Sequence, residues 1–345
     1  MNSSMSWAIP LIERGVIPTG LVRWGIRRLH QAKLDEAAVD NDVANQTERF
    51  AASLADAPVA LTPEKANEQH YEVPAAFFQQ VLGPHLKYSS AYWPTGVNSL
   101  GDAEAAMLSL SCERAELEDG QRILELGCGW GSLTLWMAGH FPSSQITAVS
   151  NSASQRAFIL GECERRGFRN VEVKTCDMND FETSLRFDRV VSVEMFEHMR
   201  NWGELVHRVS RWLDPGGKLF VHVFCHRQYA YLFRSRGPAD WMGNHFFTSG
   251  MMPAYDLLPC FDDDLTLEDR WYENGRHYGK TSNAWHQLLC RRRGLIMPIL
   301  RETYGPDAHL WFHRWKIFFL ACAELFNYQR GEAWGVGHYR MVRPA

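Results

Sequence analysis

The 345-residue sequence lacks the features of several common protein classes. Its eight cysteines are scattered without a Cys-x-x-Cys pair, which argues against a zinc ribbon or a disulfide framework and favours a reducing, cytoplasmic environment. The longest apolar run, residues 317–323, is too short to cross a bilayer. The N-terminus has no basic leader, and Glu13 interrupts its apolar run, so we expect no signal peptide. With 36 basic against 40 acidic residues, a dedicated nucleic-acid partner is not expected.

From residue 121 onward, short apolar segments alternate with helical patterns. The segments predict strands at residues 122–126, 145–149, 171–175, 189–193 and 218–224. Strands joined by crossover helices indicate an α/β fold with a doubly wound, mostly parallel, Rossmann-like sheet. Ligands of such sheets bind beyond the carboxyl ends of the strands.

Two segments outside this alternation are expected to cover the sheet. Helical spacing of apolar residues in 7–36 predicts an N-terminal helical extension, to which we assign residues 1–65, before a domain of residues 66–345. Within that domain, an irregular, aromatic-rich stretch at about 226–305 predicts a lid insertion. A helix near 308–326 and a strand near 335–342 follow it. The chain has 13 tryptophans, most of which we expect in the core, although some suit an aromatic-lined pocket.

A glycine-rich loop, LELGCGWGS, joins the first predicted strand to a helix. Gly127, Gly129 and Gly131 let the backbone turn tightly and approach a ligand, and the helix presents unpaired N–H groups. The spacing is Gly-x-Gly-x-Gly after Glu125, and the second strand ends without the acid that a nicotinamide site requires. The loop resembles motif I of the class I S-adenosylmethionine-dependent methyltransferases.

Two acids and an imidazole follow the fourth predicted strand, in VSVEMFEHMRN. If the strand end turns into a helix, Glu194 and Glu197 share one face, with His198 at its edge. Adjacent carboxylates raise each other's pKa, which suits a proton acceptor. Structurally, Glu197 could instead cap the next helix and His198 be a buried core histidine. A metal site using His222 and His226 as further ligands lacks a recognised spacing, so no metal is expected.

Longer motifs resemble the cyclopropane fatty acid synthase superfamily. They run in one order from HYEVPAAFFQQVLGPHLKYSSAYW through ILELGCGWGSL, FEHM, DWM and FFTSGMMP to ACAELFNYQRGEAW. AMLSLSCERAELEDGQ, AVSNSASQ and VEMFEHM look nearest to the coclaurine-type N-methyltransferase branch. The resemblance runs from about residue 65 to the end. It implies methyl transfer from S-adenosyl-L-methionine to a small molecule, with S-adenosyl-L-homocysteine as product.

The resemblance also implies a cofactor site. The glycines back the methionyl part, the turn after the second strand meets the ribose, and Asp177 accepts a hydrogen bond from adenine. A helix cap or turn is the structural alternative for Asp177. The implied cofactor residues are Tyr88, Ser89, Glu125, Gly127, Gly129, Gly131, Ser150, Asn151, Gln155, Asp177 and Met178.

At the methyl acceptor, the resemblance places Glu194, Glu197 and His198. The favoured acceptor is the nitrogen of a small amine or alkaloid-like molecule, with Glu197 and His198 handling its proton and Glu194 assisting. The implied substrate-pocket residues are Tyr71, His222, Phe247, Tyr278, Trp315 and Phe318.

A lipid acceptor is the main alternative hypothesis. Cyclopropane synthases usually have glycine at the position of Glu194 and cysteine at that of Ser90, which favours the amine. In those enzymes, however, Glu197, His222 and Tyr278 match positions around a bound bicarbonate. The alternative is methylation or cyclopropanation of unsaturated acyl chains, with bicarbonate as base and transient lipid contact but no stable membrane insertion. A thiol acceptor is a third hypothesis, and a homodimer is left open.

Overall fold

The computed structural model describes residues 8–37, 43–61, 73–233 and 240–345. The described strands are β1 (Arg122–Leu126), β2 (Gln145–Ser150), β3 (Val171–Thr175), β4 (Phe187–Val193), β5 (Leu213–His226), β6 (Tyr231–Leu232), β7 (Met251–Met252), β8 (Thr266–Glu273) and β9 (Trp334–Val342). Within the described ranges, seven of them form one sheet in the order β3-β2-β1-β4-β5-β9-β8, and β6 pairs with β7.

The predicted doubly wound sheet is confirmed. β1 lies between two parallel neighbours, so that Leu124 pairs with Thr147 of β2 and Val190 of β4. Residues 123–126 are all buried, as expected for an apolar strand that helices cover on both faces. The reversal of strand order between β2 and β4 puts the carboxyl end of β1 at the switch point, where ligands bind in such sheets.

Helices connect and cover these strands. The described helices are α1 (Ile9–Glu13), α2 (Thr19–Ala37), α3 (Val43–Ala52), α4 (Ala75–Val81), α5 (Leu100–Arg114), α6 (Ser132–His140), α7 (Ala153–Arg166), α8 (Trp202–Trp212), α9 (Trp241–His245), α10 (Arg276–Arg291), α11 (Arg293–Tyr304) and α12 (Ala308–Asn327). A short 3₁₀ helix spans Phe196–His198. α7 starts where the Ser152 hydroxyl accepts from the Gln155 N–H, and it ends at Gly167 in the left-handed region, both common helix boundaries.

The predicted lid insertion holds more regular structure than its sequence indicated. β8 joins the sheet edge antiparallel to β9, and α10 and α11 follow it. β8 was not predicted because its residues, TLEDRWYE, are mostly exposed or half-buried, so no apolar run marks the strand. An aromatic core including Phe77, Trp285, Trp315 and Phe319 packs α10–α12 against α4, and this helical layer covers the carboxyl end of β4.

The N-terminal helix α2 packs along α12. Arg23 and Arg27 both form ion pairs with Glu324 of α12, and the second guanidinium nitrogen of Arg23 donates to Asn283 at 2.7 Å. Glu13 accepts from Arg314 and from the Trp241 indole, each at 2.9 Å. These contacts attach the extension to the helical layer.

No helix in the described ranges combines the length and the apolarity needed to cross a bilayer. All eight cysteines lie within those ranges as free thiols.

Candidate active site

Two adjoining cavities lie beyond the carboxyl ends of β1, β2 and β4. One has a volume of about 100 Å³ and the other about 70 Å³. Both are lined by Gly127, Gly129, Gln155, Glu194 and His198, so they are two lobes of one pocket. The glycine loop and the charged cluster, predicted from distant parts of the sequence, meet there.

The glycine loop shapes the wall between the lobes. Gly127 has φ +78°, and a Cβ atom there would lie 2.8 Å from the Met195 side chain. Gly129 has φ +52°, also in the left-handed region that side chains disfavour. Gly131, predicted to back the cofactor, instead packs against Ile159, 2.7 Å from an added Cβ. This close packing against α7 explains why residue 131 has no side chain.

Several buried polar atoms face the larger lobe. Among the described residues, Gln155 Nε2, Trp130 Nε1 and Ser132 Oγ have no hydrogen-bond partner, and all three residues line this lobe. Glu125, also in its wall, accepts from the Thr134 hydroxyl, and burial raises its pKa to about 7. Buried polar groups normally have partners, so this set fits a polar ligand such as the methionyl and ribose parts of S-adenosylmethionine.

The smaller lobe is lined by Ser150, Asn151, Asp177 and Met178, four of the residues implied for the cofactor. The Ser150 hydroxyl donates to Gln155 Oε1 at 2.6 Å and accepts from the Ser152 N–H, so it orients the Gln155 amide. Asp177 Oδ1 accepts from the Asn179 N–H at 2.8 Å, which is the turn contact of the structural alternative. Hydrogen bonding of Asp177 to adenine stays a prediction.

Tyr88 and Ser89 line the larger lobe, together with Lys87, which sequence reasoning missed. The Lys87 side chain is buried, and its ammonium donates to the Ser89 hydroxyl. Burial lowers the Lys87 pKa to about 8, while the charges of Glu194 and Glu104 oppose that shift. A lysine in a loop carries no sequence signal of burial, which arises only from the fold.

The carboxylate of Glu194 is held by three donors from different elements. Its Oε1 lies 2.9 Å from the Ser90 N–H and 3.2 Å from His222 Nε2, and its Oε2 accepts from the Tyr278 hydroxyl at 2.6 Å. Burial raises the pKa of Glu194 to about 7, and the Lys87 charge together with the hydrogen bonds from Tyr278 and the Ser90 N–H counteracts the rise. Its backbone has φ +49°, an uncommon value outside glycine that a functional site can retain.

The prediction that Glu194 and Glu197 share a helical face is wrong, because Glu194 precedes the 3₁₀ helix in a left-handed conformation. Glu197 lies inside that helix, 1% exposed. Within the described part of the chain, its Oε2 has no hydrogen-bond partner. Burial raises the pKa of Glu197 well above its usual value, and the nearby charge of Glu194 adds to the rise. Glu197 is therefore poised to pair with a cation.

His198 lies in the wall of both lobes. Its ring stacks on Phe247 with centroids 5.2 Å apart and an interplanar angle of 7°. His222 and His226, proposed as metal ligands with it, are engaged elsewhere: His226 Nδ1 accepts from the N–H groups of Gln228 and Tyr229. No group of three or more potential metal ligands occurs among the described residues.

A larger cavity of about 510 Å³ adjoins the pocket, and Phe247, Tyr278 and Phe318 line both. Its other walls are largely apolar, and α2 contributes to them. Further lining residues are Leu29, Lys33, Phe224, Tyr231, Trp241, Phe326 and Cys322. Its volume is in the range of sites for drug-sized ligands.

Two predicted wall residues differ from expectation, and a third was not tested. Trp315 is fully buried in the aromatic core, packed on Phe77 and Phe318. His222 is fully buried behind Glu194, so it supports that carboxylate instead of lining the pocket. Tyr71 lies outside the described residues.

The sheet order, the glycine turn at its switch point and the acid-lined pocket define a Rossmann-like S-adenosylmethionine-dependent methyltransferase. Residues 60–334 match the mycolic acid cyclopropane synthetase family. The chain belongs to that family.

Similar proteins include amine and lipid enzymes. The (S)-coclaurine N-methyltransferase of Thalictrum flavum subsp. glaucum is 34% identical over 322 residues, 92% of this chain and 86% of that protein. The cyclopropane-fatty-acyl-phospholipid synthase of Escherichia coli strain K12 is 29% identical over 80% of this chain and 68% of its own length. The crystal structure of a coclaurine N-methyltransferase bound to N-methylheliamine and SAH superimposes with a TM-score of 0.94, at 31% identity, and covers 98% of this chain and 99% of that one.

Proposed function

We propose that the protein transfers a methyl group from S-adenosylmethionine to the nitrogen of a small, largely apolar amine. The observation that carries this proposal is the pair of buried glutamates at the meeting point of the cofactor lobes and the aromatic cavity. Glu194 is hydrogen-bonded on both oxygens, whereas Glu197 Oε2 lacks a partner among the described residues. An ammonium group supplies both the positive charge and the N–H donors that Glu197 needs.

Glu194 also disfavours the lipid alternative. In that hypothesis, bicarbonate binds among Glu197, His222 and Tyr278. Here the carboxylate of Glu194 already takes hydrogen bonds from His222 and Tyr278 and from the Ser90 N–H. The protein's own side chain thus occupies the donors that a bicarbonate would use, and a second anion there would be repelled.

Proton handling follows from the burial of Glu197. Burial and the nearby charge of Glu194 raise its pKa and favour the protonated form, whereas an incoming cation favours the ionised form, with the proton released to solvent. Glu197, with His198 beside it, then accepts the proton that leaves the ammonium and frees the nitrogen lone pair. Bound S-adenosylmethionine supplies a methyl group on a positively charged sulfur. As the nitrogen–carbon bond forms, the carbon–sulfur bond breaks, and its electron pair stays on sulfur.

The cover over the acceptor cavity belongs to the same proposal. Leu29 and Lys33 of α2 line the cavity together with Phe318 and Tyr278. We propose that the N-terminal extension, residues 1–65, and the insertion at about 226–305 shield the acceptor from water above a methyltransferase domain of residues 66–345. A water-poor site strengthens the pairing of Glu197 with a cation.

We further propose a cytoplasmic enzyme that acts on free small molecules, and a homodimer remains open. The eight free thiols, all in the described residues, support a reducing compartment.

The proposed function is tested by incubating purified enzyme with methyl-labelled S-adenosylmethionine and, separately, with panels of apolar amines, thiols and unsaturated phospholipid vesicles. We expect label in the amine panel. Transfer confined to thiols or lipids would overturn the amine assignment, whereas failure to bind the cofactor in calorimetry would overturn the methyltransferase assignment.

Replacing Gly127 by alanine is expected to raise the Kd for S-adenosylhomocysteine about tenfold or more. The new Cβ would meet Met195 at 2.8 Å, and the positive φ costs a side chain roughly 1–2 kcal/mol. Gly167→Ala is the matched control, because Gly167 has φ +75° but lies in open space at the end of α7. Calorimetry should show weaker binding for Gly127→Ala alone, and equal affinities would contradict the glycine loop's assignment to the cofactor.

Phe247→Leu is expected to raise the KM for an amine acceptor about 3- to 10-fold through loss of cation–π attraction. The KM for S-adenosylmethionine should change less than twofold. Phe233→Leu serves as the control, because Phe233 lines the large cavity but not the lobe that contains Glu194 and Glu197. Steady-state kinetics with both substrates varied gives the KM for the amine and the KM for the cofactor separately. Equal increases of the amine KM in Phe247→Leu and Phe233→Leu would assign Phe247 to general packing.

A further inference from the structure

A line of hydrogen bonds leads from Glu194 away from the pocket. His222 Nε2 lies 3.2 Å from Glu194 Oε1, and His222 Nδ1 lies 2.9 Å from His338 Nε2. His338 Nδ1 lies 2.7 Å from Arg114 Nη1, and Arg114 Nη2 donates to Glu273 at 2.6 Å. Both imidazoles are fully buried, on the neighbouring strands β5 and β9. The line therefore connects the methyl-acceptor site to the half-buried ion pair between Arg114 at the end of α5 and Glu273 at the end of β8.

The direction of every bond in this line follows from Arg114. A guanidinium can only donate, so His338 Nδ1 must accept and its proton must lie on Nε2. His338 then donates to His222 Nδ1, which places the proton of His222 on Nε2. His222 in turn donates to Glu194 Oε1. The alternative tautomers would turn two lone pairs or two protons toward each other inside the core.

We propose that Arg114 and His338 are positioning residues for methyl transfer: they fix the His222 tautomer and hold Glu194 as an ionised acceptor of hydrogen bonds. This inference rests on the proposed function and gives Glu194 and Glu197 different roles. Glu194 Oε1 accepts from both the Ser90 N–H and His222, so no proton is accommodated there. The Lys87 charge and the hydrogen bonds to Glu194 favour its ionised form, which attracts the ammonium, and Glu197 exchanges the proton.

The titratable groups around Glu194 set the sign of the expected pH effect. They are Lys87 in the loop before α5, Glu197 in the 3₁₀ helix, His222 on β5, Tyr278 on α10 and Cys322 on α12. Lys87 and the donors His222 and Tyr278 favour the carboxylate, whereas Glu197, when ionised, disfavours it. Loss of the polarised line removes one of the favourable contributions, so Glu194 becomes easier to protonate. The acid limb of the activity profile then moves to higher pH.

The test uses Arg114→Met and His338→Phe in the full-length enzyme, with one amine acceptor throughout so that its own titration is common to all profiles. Arg340→Met is the matched control. Arg340 is 13% exposed at its side chain against 14% for Arg114 and lies over the same Trp271 ring. Its hydrogen bond to Arg114 goes to the backbone carbonyl oxygen, at 3.0 Å. His338→Phe retains an aromatic ring against Phe220.

We expect kcat at neutral pH to fall about tenfold in both Arg114→Met and His338→Phe. The acid limb of their kcat/KM profiles should lie about one pH unit higher than in the wild type. S-adenosylhomocysteine affinity should stay within about twofold, and Arg340→Met should behave like wild type. Profiles of Arg114→Met and His338→Phe that coincide with Arg340→Met would overturn the inference. An inactive wild type with every amine would instead overturn the proposed function.

A second measurement does not depend on turnover or on the acceptor. In ¹⁵N-histidine NMR of the S-adenosylhomocysteine-bound enzyme, His222 and His338 should both be neutral and protonated on Nε2 from pH 6 to 8, roughly the range in which a free imidazole titrates. His222→Gln and His338→Phe assign the signals. In Arg114→Met, His338 should no longer be fixed in the tautomer that is protonated on Nε2. A His338 signal that is protonated on Nδ1 in the wild type would overturn the inference.

Discussion

Glu197→Gln is expected to lower kcat about 10²- to 10³-fold while the Kd for S-adenosylhomocysteine changes less than twofold. The amide keeps the shape of the protonated side chain but cannot accept the acceptor's proton. Single-turnover assays with labelled cofactor measure the chemical step, and calorimetry measures cofactor affinity. A parallel loss of affinity would point to a structural role for Glu197, and an unchanged kcat would remove it from proton transfer.

The same variant makes a stability prediction with a defined sign. Because the pKa of Glu197 is raised in the fold above its usual value of 4.5, the folded state binds the proton more tightly, and stability is lost as pH rises through the interval above 4.5. Glutamine carries no such penalty. The Tm of Glu197→Gln should therefore match that of wild type near pH 4 and exceed it near pH 7, so misfolding will not explain lost turnover.

Glu194→Gly is expected to lower amine methylation about 100-fold. Glycine relieves the positive φ of +49°, while removal of the carboxylate leaves the Ser90 N–H, His222 and Tyr278 without their shared acceptor. A small anion of carboxylate shape fits that space. Added bicarbonate at about 10 mM should therefore restore part of the activity to this variant and leave the wild type unchanged.

Glu194→Gln is the control for this rescue. Glutamine fills the space of the carboxylate without its charge, so bicarbonate should give no rescue. Stimulation of the wild type by bicarbonate would show that Glu194 does not occupy the anion position. Full activity of Glu194→Gly in bicarbonate-free buffer would show that no anion is needed there.

The parts of the site that could be predicted from the sequence are those that lie at strand ends. The run RILEL followed by glycines fixes a parallel strand, a turn and a helix N-terminus, and Glu194 and Glu197 follow the next strand over. Because parallel strands end at one edge, the two segments had to meet. Local pattern and sheet topology agree there, which is why the predicted fold is confirmed.

The roles of single residues depend on contacts that no local pattern contains. His222 was expected in the pocket wall, yet alternation along β5 turns it behind Glu194, toward His338 on β9. β9 joins the sheet from more than 100 residues away, so this pairing is invisible in sequence. Lys87 was missed because its burial depends on the helical layer. Trp315 was expected in the pocket wall, but the same helical layer buries it in the aromatic core.

Amine methylation without bicarbonate is the central claim, and one competition experiment tests it most directly. A single CO₂-free reaction would contain the enzyme, methyl-labelled S-adenosylmethionine, an apolar secondary amine and vesicles of an unsaturated phospholipid. Extraction and chromatography then locate the label. We predict that it is found in the amine and that its amount does not change when bicarbonate is added. Label in the acyl chains, or transfer that appears only with bicarbonate, would contradict the claim.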